Sequence, residues 1–147
     1  MVRTSLDRGH SRKMDTFVEL KDKTLTEVYE YYSNEFLNDK KLIEHRKYII
    51  DNNLGFGENP FHAMWRDLIE IMPNTFKFLE IGVYKGQILS LIKYLSAIQN
   101  KNVKFIGVTP LSNMGDKFGN YDECDYLQKI ESIFRHFNLD FDENKNL

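Results

Sequence analysis

Cysteine is scarce in this sequence. Cys124 is the single cysteine among 147 residues, which excludes an intramolecular disulfide framework and a cysteine-rich zinc site. The chain also lacks any apolar run close to the roughly 20 residues of a membrane-spanning helix, and its N-terminus lacks the apolar core of a signal peptide. We therefore expect a soluble, cytoplasmic protein with no membrane partner.

An excess of charge of one sign is also lacking. Lys and Arg total 20 against 22 Asp and Glu, which gives a formal net charge of -2. This balance gives no net positive potential to attract a phosphate backbone, so we expect no nucleic-acid partner. The basic residues near the N-terminus are diluted by acidic ones, and residues 1–15 are predicted to be a frayed, polar tail.

The composition that is present is typical of one ordinary globular domain, with 41% hydrophobic and 29% charged residues. The first helical signal is Thr24-Leu25-Thr26-Glu27, which has the capping-box pattern. Apolar residues then recur at helical spacing and predict one apolar face, formed by Leu25, Val28, Tyr29, Tyr32 and Phe36.

Two further helices are predicted before the first strand. One runs from about Asp39 to Ile50 and ends at Asn52 and Asn53. The other starts at Asn59-Pro60, with Asn59 as the cap and proline at the first helical position, and continues to about Ile71. Residues 16–72 are therefore expected to form a helical segment.

The centre of the chain has the pattern of a βαβ unit. Thr75 to Ile81 is short, aromatic and apolar, which predicts a strand covered on both faces. Gln87 to Ile98 switches to helical period, and Val103 to Val108 predicts a second strand. This order predicts an α/β fold with parallel strands joined by a right-handed crossover. A last helix is expected from about Asp122, ending at Asn138.

A glycine turn follows the first predicted strand, in the sequence FLEIGVYKG at residues 78–86. In parallel α/β sheets ligands bind at the carboxyl ends of the strands, so this turn lies where a cofactor is expected. It supplies G-x-x-x-G between Gly82 and Gly86, which fails the dinucleotide pattern G-x-G-x-x-G. The P-loop pattern fails as well, because Gly86 is followed by Gln87 and Ile88.

The motif E-x-G-x-x-x-G at the end of a first strand resembles the first motif of class I S-adenosylmethionine-dependent methyltransferases. The form FLEIGVYKG is most similar to macrocin-type O-methyltransferases and cephalosporin-hydroxylase-like proteins. The resemblance implies a Rossmann-like parallel sheet, with residues 73–147 as its first βαβα part. It also implies that Glu80, Gly82 and Gly86 form one wall of an S-adenosylmethionine site, beside the backbone of Val83 and Tyr84.

The end of the second strand departs from the family. The family usually has Asp or Glu there to accept hydrogen bonds from the ribose hydroxyls, whereas this sequence has Thr109. A threonine hydroxyl carries no charge and cannot make the bidentate contact. Asp116, in the following loop, is either the missing carboxylate or an ordinary turn residue.

Other residues carry weaker signals. The histidines His10, His45, His62 and His136 have no metal-ligand spacing. His62, on the helix before the first strand, either faces the site or, as we expect, lies in the core or at the surface. Lys85 and Tyr84 either reach a ligand or are a solvated turn lysine and a packing tyrosine. Acidic residues from Asp122 to Asp125 are expected at a helix start, because they oppose its dipole, so no metal is predicted. No catalytic base can be named.

The resemblance implies a seven-stranded sheet, and only two strands are predicted here. We therefore expect the N-terminal part of a longer enzyme that methylates a hydroxyl of a sugar or small metabolite. A two-stranded sheet has an open edge and an uncovered face, which predicts marginal stability or association, including into a homo-oligomer. The alternatives are a non-catalytic α/β interaction or regulatory module and, disfavoured by the glycine pattern, a nucleotide-sugar or NAD-binding domain.

Overall fold

The computed structural model describes residues 19–113 and 122–147. Within these residues the elements follow in the order α1 (Leu25–Leu37), α2 (Lys40–Asp51), α3 (Asn59–Ile71), β1 (Thr75–Ile81), α4 (Gln87–Ile98), β2 (Asn102–Val108), α5 (Tyr126–His136) and α6 (Glu143–Asn146). The predicted α/β class is confirmed at this level. None of the described helices is both long and apolar enough to cross a membrane. The tail predicted at residues 1–15 lies outside the described residues.

The chain divides into two compact units. The described residues up to Arg46 and Gly57–Pro73 form one unit, which holds α1, the first part of α2, and α3. The second unit comprises Lys47–Phe56 and Asn74–Leu147, and it holds the sheet with α4, α5 and α6.

Helix α1 starts with the predicted capping box. The Thr24 hydroxyl accepts a hydrogen bond from the Glu27 amide at 3.2 Å, and the Thr24 amide donates to the Glu27 carboxylate at 2.8 Å. Two of the amides that a helix start leaves free are thereby satisfied. The apolar face is narrower than predicted, because Tyr32 and Phe36 are buried whereas Leu25 and Tyr29 are exposed.

Helix α3 starts at Asn59, one residue earlier than predicted. Glu58 is the N-cap, without a side-chain cap hydrogen bond, and Asn59 is already helical. The Asn59 side chain instead accepts a hydrogen bond from Arg46 Nε at 3.3 Å. The prediction of Asn59 as the cap is therefore wrong, because a longer-range partner uses its side chain.

Arg66 of α3 makes ion pairs with α1 and with the residue that precedes α2. Arg66 donates to Asp67 at 2.8 Å within its own helix, to Glu35 of α1 at 2.6 Å, and to Asp39 at 3.1 Å. The Arg66 side chain is only 15% exposed, so these ion pairs are shielded from solvent much better than ordinary surface pairs.

Strands β1 and β2 form the predicted parallel pair, with Thr75 opposite Asn102 and Ile81 opposite Val108. The ladder is extended at both ends, by Asn102 N–H donating to Asn74 O at 2.8 Å and Gly82 N–H donating to Val108 O at 2.8 Å. Helix α4 connects the two strands and therefore runs antiparallel to them.

The expectation that β1 is covered on both faces is wrong. Its residues alternate between half-buried and exposed, and those of β2 between buried and exposed. Val103 and Phe105 lie on the buried face of the sheet, whereas Leu79 and Ile106 lie on the exposed face. An apolar run shows that a strand can be buried, but the alternation of side chains means that each face needs its own covering layer.

Helix α5 starts at Tyr126 rather than at Asp122, because Asp125 is its N-cap and accepts from the Gln128 amide at 2.9 Å. Its end is as predicted, since Asn138 has a positive φ of 52° just after the helix. Two neighbouring side chains of α5, Ile133 and Phe134, pack into the core. Ile133 packs with Ile49 and Leu54 in one cluster, and the Phe134 ring stacks on that of Phe105 at 5.6 Å.

The segment after α5 returns to the outer edge of β2. Asn146 Nδ2 donates to the Phe105 carbonyl at 3.2 Å, and the Asn146 side-chain oxygen accepts from the Asp142 amide at 2.9 Å. The predicted open edge is therefore partly closed on the β2 side. In the described part of the chain no strand pairs with the outer edge of β1.

Candidate functional site

The candidate site is the turn between β1 and α4, at the carboxyl ends of the strands. Gly82, with a φ of 87°, leaves the ladder, and Gly86 N–H closes the turn on Val83 O at 3.0 Å. Gly86, with a φ of 90°, is the N-cap of α4 and has no side chain for capping. These positive φ angles explain why glycine occupies both positions.

The two glycines have different surroundings. A Cβ atom placed on Gly82 meets no atom of the described residues within 4 Å, so these residues leave open space beside this backbone. A Cβ atom on Gly86 lies 3.0 Å from the Ile130 side chain and 3.3 Å from Ile130 Cα. Gly82 thus leaves room for a ligand, whereas the absent side chain of Gly86 leaves room for α5 to pack on the start of α4.

Glu80 is the second-last residue of β1, and its side chain contacts the start of α4. Its carboxylate accepts a hydrogen bond from the Leu89 backbone amide, and thus does for α4 what the Gly86 N-cap cannot. The second carboxylate oxygen, Oε2, is buried and has no hydrogen-bond partner among the described residues. Burial raises the pKa of Glu80 to about 7, although the Leu89 amide works in the opposite direction.

An unpartnered buried carboxylate oxygen is costly, and such groups concentrate at functional sites. Glu80 lies in β1, two residues before Gly82, the first residue of the turn. The sequence motif singled out Glu80 as a candidate site residue. In the structure, burial raises the pKa of its carboxyl group so that its charge changes near neutral pH.

Val83 and Tyr84 form the middle of the turn. The Val83 side chain is buried towards Gly107, so only its backbone lies on the outside of the turn. Tyr84 has a φ of 54°, which is strained for a residue other than glycine. Its ring lies 5.5 Å from that of Phe56 and 5.8 Å from that of Tyr126, so aromatic packing holds the strained backbone.

Lys85 is neither a solvated turn lysine nor a group reaching for a ligand. Its side chain is 2% exposed, and Nζ donates to the Asn53 carbonyl at 3.0 Å and to Asp122 Oδ2 at 3.3 Å. Asn53 also donates to Asp122 Oδ2 at 3.3 Å. This lysine therefore cross-links the turn to the loop after α2 and to the segment before α5, and both sequence interpretations are corrected.

Thr109 lies at the end of β2, as predicted. Its hydroxyl oxygen accepts from the Leu111 amide at 3.3 Å. One lone pair and the hydroxyl proton are left for another partner, so the group can still bind one polar atom. Asp116, the alternative carboxylate, lies outside the described residues.

Two of the acidic residues before α5 have structural roles. Asp125 caps the helix and Asp122 pairs with Lys85. In residues 19–113 and 122–147 no group of three His, Cys, Asp or Glu side chains is placed to hold a metal ion.

The helical unit also buries polar side chains, among them those of Tyr32, His45, His62 and Asp67. Burial of Tyr32 and His62 was expected from the sequence, whereas that of His45 and Asp67 was not. Asp67 acts on the pKa of Tyr32, and the ring of His45 lies 6.2 Å from that of His62. Burial, and then the positive charge of Arg46, lowers the pKa of His62 to about 4, and burial followed by Asp67 raises that of Tyr32 to about 12. The signal for His45 was present, because it lies three residues after Leu42 and four before Ile49, on the buried face of α2.

No protein-family model, curated protein or solved structure matches this chain.

Proposed function

We propose that the turn from Gly82 to Gly86 binds S-adenosylmethionine and that the chain is the cofactor-binding portion of a class I methyltransferase. The observation that carries the proposal is the juxtaposition of two features at the end of β1. Among residues 19–113 and 122–147, the Glu80 carboxylate has a buried oxygen without a hydrogen-bond partner, and Gly82, two residues later, has open space beside it. Both lie where ligands bind in parallel α/β sheets.

The residues fit the group in kind. Glu80 would accept polar hydrogens of the cofactor, Gly82 would let the backbone approach it, and Thr109 would bind one ribose hydroxyl. The backbone of Val83 and Tyr84 would line the wall, which aromatic packing holds in place. When bound, the cofactor supplies an electrophilic methyl group on a sulfonium centre.

The reaction proposed is methyl transfer to a hydroxyl of a sugar or small metabolite. The described residues would contribute binding and orientation, which are large terms in such a transfer because they hold the reacting atoms in line. We assign no residue of this chain as the base that removes the hydroxyl proton.

Calorimetric titration of the chain with S-adenosylmethionine and S-adenosylhomocysteine, and with NAD as a comparison, tests the proposal. The chain offers a matched pair of variants, because Gly82 and Gly57 both have a positive φ, and a Cβ atom on either has no described atom within 4 Å. Gly82→Ala and Gly57→Ala should therefore strain the backbone similarly, by about 1–2 kcal/mol.

We expect both sulfur-containing ligands to bind the wild type and Gly57→Ala, and Gly82→Ala to bind at least about tenfold more weakly, since a Cβ atom then occupies the ligand's space. Binding of NAD instead would replace the cofactor with a dinucleotide. Equal loss in both variants would mean that strain, not ligand contact, causes the effect.

A second candidate is a non-catalytic α/β interaction module. The exposed apolar face of the sheet favours it, because parallel sheets are normally covered on both faces. An absence of binding to all three ligands by a folded wild-type chain would favour this candidate.

A further inference from the structure

On the exposed face of the sheet, paired residues of the two strands form rows of similar side chains. Opposite pairs in the register give a row of Lys77 and Lys104, then Leu79 and Ile106, then Ile81 and Val108. We refer to these six residues as the open face. The four aliphatic side chains are between 51% and 79% exposed, which is far more than strand residues of their kind usually are.

Charge is segregated along the open face. The lysine row lies towards the amino ends of the strands and the aliphatic rows towards the carboxyl ends. Neither lysine pairs with an acidic side chain in the part of the chain that the structure describes, and both are exposed. One of its three rows is therefore cationic and the other two are apolar.

These features fit one kind of occupant. We propose that the open face binds an amphipathic α-helix of a partner polypeptide, with an aliphatic stripe over Leu79, Ile81, Ile106 and Val108 and acidic residues over Lys77 and Lys104. Successive rows are about 6.6 Å apart, which is close to the pitch of a helix of about 5.4 Å. The partner stripe therefore has the spacing i, i+3, i+4 and i+7.

The direction of the partner helix follows from the same charges. Helix α4 runs antiparallel to the strands on the other face. A partner helix with the same direction ends over the lysine row, so the negative end of its dipole meets Lys77 and Lys104. Acidic side chains in its last turn then lie over these two lysines, whose positive charges attract them.

The test uses the full chain without any cofactor, so its result is separate from that of the cofactor titration. The probes are two fluorescein-labelled helical peptides of about 14 residues, a length that spans the open face. Both carry the aliphatic stripe, and one has Glu and the other Lys in the last turn. Binding is measured by fluorescence anisotropy at low salt, where exposed charges act most strongly.

We expect the Glu peptide to bind the wild type about five- to tenfold more tightly than the Lys peptide, as two exposed charge pairs allow. The double variant Lys77→Glu, Lys104→Glu should reverse this preference. Lys40→Glu, an exposed lysine of α2, is the matched control and should leave the preference unchanged.

The double variant Leu79→Thr, Ile106→Thr should weaken both peptides by about tenfold or more, because it removes aliphatic surface while retaining residues compatible with a strand. Should this variant fail to fold, the charge reversal still decides the question. Equal binding of the two peptides, or a preference that survives charge reversal, overturns the proposal. So does concentration-dependent sedimentation that the threonine variant abolishes, since the open face would then bind a second copy.

Discussion

Replacement of Glu80 by Gln tests whether the unpartnered carboxylate oxygen is as desolvated as its surroundings indicate. Glutamine has the same shape and can still accept the Leu89 amide, but it cannot ionise. The variant therefore removes the pH-dependent part of the Glu80 contribution to stability and keeps its packing.

The sign and size of the effect follow from the pKa. Folding raises the pKa of Glu80 from 4.5 to about 7 because burial disfavours the ionised form. Below the lower value the side chain is protonated in both states. As the pH rises from 4.5 to about 7 the unfolded chain loses a proton that the folded chain retains, so stability falls.

Each pKa unit corresponds to about 1.36 kcal/mol, so a shift of this size has an upper limit of about 3 kcal/mol. The side chain is only half-buried and water reduces the penalty, so we expect about 2 kcal/mol. Relative to the wild type, Glu80→Gln should therefore gain about 2 kcal/mol of unfolding free energy between pH 4.5 and pH 8.

Urea denaturation of both proteins, followed by circular dichroism at several pH values, measures this gain. Titration of the Glu80 carboxyl carbon by NMR gives the pKa directly. A constant difference between the two proteins from pH 4.5 to pH 8, or a Glu80 pKa near 4.5, would refute the reasoning. Glu80 would then be hydrated and would be no special feature of the turn.

Three further predictions concern the packing around the site and the helical unit. Gly86→Ala should destabilise the chain by about 3 kcal/mol in urea denaturation, more than Gly82→Ala, because it adds overpacking against Ile130 to backbone strain; equal losses would contradict the packing role. The His62 pKa is lowered from 6.5 to about 4, so the unfolded chain binds a proton that the folded chain does not, and stability should fall by up to about 3 kcal/mol as the pH decreases through this window. His62→Gln should flatten that fall, and an unchanged slope would exclude His62 as its cause. Asn146→Ala should cost about 1–2 kcal/mol in the same assay through two lost hydrogen bonds, whereas Asn144→Ala, an exposed position that keeps its backbone hydrogen bond to Asp142 and both hydrogen bonds of Asn146, should cost less; equal costs would remove the proposed closure of the β2 edge.

The local features of the fold could be predicted from the sequence. The Thr24 capping box, strand β1 and helix α4 were all found at their predicted positions. Each of these depends on residues close in the chain, where spacing and turn chemistry act directly.

The faces of the elements could not be predicted in the same way. Leu79 and Ile81 are as apolar as core residues, yet their side chains are 60% and 79% exposed. Asn59 is a good capping residue, yet Arg46 uses its side chain. In both cases the outcome depends on which residues approach from distant parts of the chain.

The candidate site shows the same division. The positions of Glu80, Gly82 and Gly86 follow from the motif, whereas their surroundings do not. The contact of Gly86 with Ile130 and the burial of Lys85 by Asn53 and Asp122 join residues more than 30 positions apart. Sequence spacing carries no information about such contacts.

The most direct test of cofactor binding at the turn is an NMR titration of the isotope-labelled chain with S-adenosylhomocysteine. We expect saturable shifts of the backbone amides from Gly82 to Gly86, stronger at pH 8 than at pH 6 and lost in Gly82→Ala. Unchanged amides in this turn at millimolar ligand, in a chain that is demonstrably folded, would contradict it.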